Sequence, residues 1–167
     1  MAQAAAGAAA SAAAFNTGFP FEEATVKSLQ EAMAAGKTTS KALTQAYLSR
    51  IAALDKALRA FIETNPNALA EAEVLDAERK EKGSRGPLHG IPIALKDNID
   101  TAGPMQTTAG SLALEGVPTL GDAPLVAQLK EAGAVILGKT NMAEWANARS
   151  AVATNGWSAR GGLTRNP

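Results

Sequence analysis

The chain has 167 residues, enough for about one domain on the usual scale of ~100–200 residues each. Sixteen basic residues balance sixteen acidic ones, so no net field and no basic run draws the chain to nucleic acid or to an anionic membrane. Cysteine is absent and His89 is the only histidine, which excludes a disulfide framework, thiolate zinc and iron–sulfur sites, a cysteine nucleophile and any two-histidine metal centre.

Residues 1–14 hold ten alanines and no charge, too little side-chain volume for a core, and residues 1–18 are expected to be a disordered tail outside the fold. Ala2-Gln3-Ala4 has the small-x-small look of a signal-peptide cleavage site, although no basic leader or leucine-rich stretch precedes it. Apart from the alanine tract, no uncharged run reaches the length of a membrane span, so none is expected.

Residues 19–167 are expected to form the fold in two parts. Residues 22–82 carry 19 of the 32 charges and read as helical, whereas 83–167 hold 12 of the 15 glycines and read as strands and loops. Thr25 caps a helix whose apolar positions Val26, Leu29 and Met33 follow helical spacing, with Gly36 as its stop. Thr39 or Ser40 caps a second helix with Leu43, Tyr47, Ile51 and Leu54 on one face. Arg59 to Thr64 reads as a short strand, and Asn67 caps a third helix that stops at Gly83. Ile93-Ala94-Leu95 is a short apolar strand interrupted by Lys96. Ala123 to Ala132 is helical, and Ala134 to Leu137 is a buried strand by length and branching. Helix, glycine and buried strand in that order make half of an α/β unit.

Two lysines compete for a chemical role. Gly133 to Thr140 fits G-x-x-x-x-G-K-[ST], the phosphate-binding loop of nucleotide hydrolases, but that loop follows a strand and opens a helix. Here the intervening residues are themselves the strand, spanning roughly 13 Å when extended, so the two glycines cannot close around one phosphate. Lys139 and Glu144 therefore read as a strand-end residue and a local cap. Lys96 ends an apolar strand, where partial desolvation would favour a neutral amine able to activate a hydroxyl; the alternative is a pair with Asp97 or Asp100. His89, between glycine and proline in a loop, reads as packing.

The words around Lys96 carry more than its position. Gly86-Pro87-Leu88-His89-Gly90-Ile91-Pro92-Ile93-Ala94-Leu95-Lys96-Asp97-Asn98, then Thr107-Thr108-Ala109-Gly110-Ser111, then Gly133 through Trp145, resemble in order and spacing the N-terminal half of the amidase signature family. The closing residues Asn155 to Pro167 look most like its bacterial peptide amidase branch. The resemblance implies an α/β fold, a mixed β-sheet sandwiched by helices, of which this chain would be a truncated N-terminal portion. It also implies a Ser-cis-Ser-Lys triad in which Lys96 is the catalytic base.

Both triad serines follow the Arg165-Asn166-Pro167 word in the family, and none of Ser84, Ser111, Ser150 or Ser158 sits in a matching motif. The expectation is an amidase acting on a small amide or C-terminal peptide amide, with no cofactor and no metal. Its partner would be the missing C-terminal part of its own fold, and the isolated chain would be inactive. Trp157 and Ser158 are candidate substrate-binding residues in the acyl cleft, with ordinary packing as the alternative. Two rival readings stay open: the glutamine-hydrolysing component of a tRNA-dependent amidotransferase, and a non-catalytic α/β fragment holding phosphate at Gly138-Lys139-Thr140. The compartment stays open too, between bacterial cytoplasm and periplasm or secretion.

Overall fold

The computed structural model describes residues 18–148, 151–152 and 154–167. Of the expected 1–18 tail, residues 1–17 lie outside the described residues.

Helix α1, Val26–Ala34, starts where Thr25 predicts. Its hydroxyl accepts the Ser28 N–H at 3.0 Å while Ser28 Oγ accepts the Thr25 N–H at 3.0 Å, a reciprocal capping box. Gly36, at φ 67°, stops it: the Gly36 and Lys37 N–H groups fold back onto the carbonyls of Met33 and Ala32. Helix α2, Ser40–Leu58, is capped by Thr39 and also by tertiary contact, since the Asp76 carboxylate accepts the N–H groups of Ser40 and Lys41. Arg59 takes a left-handed conformation and turns the chain into strand β1, Phe61–Thr64.

Helix α3, Ala68–Lys82, has Asn67 at its N-cap position, but the Asn67 side chain makes no capping bond there. Its neighbour Asn65 does the local work, accepting the Asn67 N–H through Oδ1 and donating to the Ile136 carbonyl. Strand β2, Pro92–Lys96, and helix α4, Pro124–Glu131, follow, with a 3-10 turn at Leu112–Leu114 between them. Strand β3, Val135–Thr140, runs three residues beyond the expected Leu137. After a second 3-10 turn at Glu144–Asn147, strands β4, Trp157–Ser158, and β5, Gly162–Leu163, form a small antiparallel hairpin.

The main sheet has the order β1-β3-β2, with β3 antiparallel to β1 and parallel to β2. It is a mixed sheet with helices on both faces, as the sequence resemblance implies. Alternation along β3 divides the core. Val135 packs with Ala68, Ala72 and Leu75 of α3, and Ile136 packs with Leu95, Met105 and Val126 on the α4 side. A third cluster joins Leu29, Met33, Leu43 and Ile91 beneath α1 and α2. Each fully buried Leu, Ile or Val contributes roughly 1.5–3 kcal/mol of hydrophobic stabilisation. His89 is completely buried, with Nε2 at 2.9 Å from the Leu75 carbonyl and Nδ1 accepting the Arg85 N–H, so both ring nitrogens are spent on packing loop to helix. Among the described residues no helix is long and apolar enough to cross a membrane.

Candidate functional site

Lys96 is the last residue of β2 and pairs in register with Thr140 of β3. The pairing continues one residue further through the Asp97 N–H, which donates to the Thr140 carbonyl at 3.1 Å, and a turn follows in which the Ile99 N–H donates to the Lys96 carbonyl. Strand alternation sends Leu95 and Asp97 inward, at 4% and 0% exposure, and sends Lys96 outward. The expected partial burial of Lys96 at the end of an apolar strand is therefore not found: the Leu95 side chain lies on the opposite face. The Lys96 amine has no hydrogen-bond or ion-pair partner among the described residues, and it pairs with neither Asp97 nor Asp100. The backbone beneath it is fixed while the amine is left free.

What fixes that backbone is the next residue. The Asp97 carbonyl accepts the N–H groups of Thr108 and Ala109, both at 3.1 Å. Its Oδ2 accepts the Gly110 N–H at 2.9 Å and the Thr108 hydroxyl at 2.5 Å. Ala109 and Gly110 are both left-handed, at φ 50° and 77°, and this turn sends the Ala109 N–H to the Asp97 carbonyl and the Gly110 N–H to its carboxylate. Asp97 Oδ1 lies 3.5 Å from Arg160 Nη1, and neither of those atoms has a hydrogen-bond partner. Arg160 Nη2 donates to Glu63 Oε2 at 2.6 Å, so the guanidinium links the end of β2, strand β1 and the β4-β5 hairpin.

The same hairpin holds both other candidate residues. Trp157 is 40% exposed on β4. Ser158 is completely buried: its hydroxyl donates to Asn141 Oδ1 at 2.7 Å and accepts the Gly161 N–H at 2.8 Å. Ser158 also sits against the 108–110 loop, because a Cβ added at Gly110 would lie 2.5 Å from the Ser158 Cβ. The structure thus brings Ser158 to the loop that grips Asp97, one residue from Lys96, and it spends the serine hydroxyl internally. Asn141 is the anchor on the other side, donating to the Gly162 carbonyl and the Thr164 hydroxyl. Glu144 is buried and accepts the Ala159 N–H through Oε2, a longer-range contact than the local cap its spacing predicts.

Lys139 departs most from its sequence reading. It is completely buried inside β3, and its ammonium donates to the Ile99 carbonyl and to the hydroxyls of Thr101 and Thr107, the latter two at 3.1 and 3.0 Å. Burial pushes its pKa below the ordinary 10.5, against the opposing pull of Asp97, Asp100 and Glu63. An amine committed to three protein oxygens, on a strand that follows a helix, does not form a phosphate cradle. The G-x-x-x-x-G-K-T word is fold architecture. No group of three histidine, aspartate or glutamate side chains among the described residues is arranged to hold a metal ion.

The amidase family model matches residues 42–167. This chain belongs to the amidase family. Its fold superposes on native peptide amidase from Stenotrophomonas maltophilia with a TM-score of 0.85 and 59% identity, over 89% of this chain and 31% of that one. An Arabidopsis thaliana protein described as a probable amidase is 47% identical over 151 residues, 89% of this chain and 30% of the plant protein. A glutamyl-tRNA(Gln) amidotransferase component from Chloroflexus aurantiacus is 44% identical over 140 residues, 80% of this chain and 28% of the Chloroflexus protein. The amidase chain thus spans roughly the share of a family fold that runs through the Lys96 strand and the hairpin beyond it, about 30% of these relatives' length.

Asp97, Arg160 and Asn141 are the site residues that sequence reasoning misses. The available signal is weak: an aspartate directly after a strand, followed by a Thr-Thr-Ala-Gly word whose glycine invites a left-handed turn.

Proposed function

We propose that this chain is the lysine-bearing part of an amidase that hydrolyses a carboxamide C–N bond by a Ser-cis-Ser-Lys triad, with Lys96 as its base. The serine pair comes from the portion of the family fold that this chain does not cover. The observation that carries the reading is the free Lys96 amine on an immobilised backbone, inside the Gly90-Ile91-Pro92-Ile93-Ala94-Leu95-Lys96-Asp97 word.

In the proposed reaction the neutral Lys96 amine takes a proton from the bridging serine, which takes one from the nucleophilic serine as its oxygen attacks the amide carbon. The tetrahedral oxyanion is held by backbone N–H groups, and its collapse expels ammonia or an amine, which leaves with the proton returned along the same relay. Water then repeats the sequence on the acyl-enzyme and releases the acid. The guanidinium of an arginine could not serve as this base, because it does not release its proton near neutral pH.

A C-terminal peptide amide is the proposed substrate, on the likeness to peptide amidase. Trp157 lines the acyl cleft with its exposed ring, and Ser158 contributes by holding the hairpin that carries Trp157. A second reading, hydrolysis of the glutamine side-chain amide, rests on the likeness to the amidotransferase component. Ammonia release by the full-length protein from a C-terminally amidated dipeptide and from free glutamine separates the two. Release from the peptide amide, lost in Lys96→Ala, supports the first; release from glutamine alone replaces it. The 167-residue chain by itself is expected to release no ammonia from either, since a base without its nucleophile cannot supply the covalent step.

A further inference from the structure

The reaction above gives Asp97 no task, yet Asp97 is a completely buried carboxylate, and a buried charge needs compensation to persist. That compensation is built around it. Its Oδ2 and its carbonyl oxygen together take three backbone N–H groups and one hydroxyl from Thr108, Ala109 and Gly110. One of those residues, Ala109, holds a left-handed conformation that alanine disfavours and that only the surrounding structure can maintain. The other oxygen faces the Arg160 guanidinium, which is nine-tenths buried and tied to Glu63.

These contacts converge on Asp97, the residue that follows Lys96. A lysine side chain is a flexible four-carbon stem, so the placement of its amine is decided first by where its Cα is held. Between the strand pairing with Thr140 and the grip on Asp97, the Lys96 Cα is clamped from both sides. The link through Arg160 extends the clamp to the β4-β5 hairpin that carries Trp157.

We infer that Asp97 is a positioning residue for the Lys96 amine, acting through the backbone cradle of residues 108–110 and through Arg160. Its consequence for catalysis rests on the amidase reading; its effect on the placement of Lys96 does not. Asp97→Asn keeps the shape and one acceptor but removes the charge that the cradle and Arg160 are built to hold. Arg160→Lys keeps the charge but loses the planar fork.

The test uses the full-length protein as wild type, Asp97→Asn and Arg160→Lys, each checked for an unchanged circular dichroism spectrum. Trace labelling with acetic anhydride, read by mass spectrometry, gives the reactivity of Lys96 relative to Lys37, an exposed lysine between α1 and α2 in the same molecule. The expected result is a change in the Lys96/Lys37 ratio of more than about threefold in both variants, as when an amine is moved into a different environment. Peptide-amide hydrolysis measured alongside should lose about 100-fold in kcat with KM nearly unchanged, the usual cost of a displaced catalytic group. A role in stability alone would lower Tm and leave both ratio and kcat as in the wild type; that result overturns the inference while the amidase reading stands. A changed ratio in a protein whose wild type hydrolyses no amide upholds the positioning role and refutes the amidase reading. An unchanged ratio with no activity refutes both.

Discussion

Replacing Lys139 with alanine tests the reading of β3 as a buried strand with a cation inside it. A lysine at a solvent-exposed strand end would cost about 1 kcal/mol or less on truncation. Lys139 is completely buried, and truncation both empties the volume of its four-carbon stem and strips the Ile99 carbonyl and two threonine hydroxyls of their common donor. Deleting a long buried side chain costs about 2–5 kcal/mol, and an orphaned buried carbonyl adds about 1–3 kcal/mol, with partial relief where the threonines rotate. The expected loss is therefore about 3–5 kcal/mol, read as the shift in urea midpoint at constant slope. Lys139→Met keeps most of the volume and should lose less.

The comparison with methionine also isolates the proton. Burial lowers the Lys139 pKa in the folded state, so between that lowered value and 10.5 the unfolded chain holds a proton that the folded chain has released. Stability of the wild type relative to Lys139→Met should then rise with pH across that window, because the cost of burying the cation is fully present below it and is relieved above it. Tyr47 moves the other way, its pKa raised above 10.0 by burial, and since it is common to both proteins it cancels in the difference. A loss within 1 kcal/mol for Lys139→Ala, together with a flat difference curve, would refute the buried-cation reading.

Gly138→Ala should cost about 2 kcal/mol or more in the same assay, because the added methyl would collide with the Glu63 carbonyl and approach the Thr64 Cα to 2.9 Å across the β1-β3 seam. Thr25→Ala removes the reciprocal cap of α1 and should cost about 1 kcal/mol, visible as a small drop in Tm. Lys96→Ala should leave urea stability within about 0.5 kcal/mol, since the side chain is exposed and unpartnered. In the full-length protein, both Lys96→Ala and Lys96→Arg should abolish turnover; substantial activity in the arginine variant would remove Lys96 from the role of base.

Much of the fold is legible in the sequence because local signals agree with the tertiary outcome. Thr25, Gly36 and Thr39 mark helix ends by chemistry that works within a few residues, and the apolar face of α2 follows its period. Asn67 misleads, because its side chain makes no capping bond and the side chain two residues earlier instead takes up the Asn67 N–H. The end of β3 is misplaced at Leu137 for a different reason: glycine and lysine look like a strand end, and only the threonines and the Ile99 carbonyl brought in from the 99–107 loop make a buried ammonium tolerable. The cradle around Asp97 is hidden on the same grounds. Its partners lie about ten residues on at Thr108 to Gly110 and far along the chain at Arg160, and no local pattern encodes them. The Lys96 word is readable, but its outward orientation is not, because a short apolar run does not say which face of the strand will be covered.

The strand order has a consequence for how the chain reaches this state. β3 is the central strand and also the last of the three to be synthesised, and among the described residues β1 and β2 each find their strand partner in β3. Until Val135–Thr140 is available, Phe61 and Pro92 have no strand to join, and the earlier helices have no sheet on which to lay Ala68, Ala72 or Leu75. Folding must therefore close two long loops onto one late segment, a high-contact-order arrangement that slows folding and leaves β1 and β2 waiting as unpaired edges. A substitution in Val135–Thr140 should accordingly slow folding through both seams at once, whereas one in β1 or β2 disturbs a single seam.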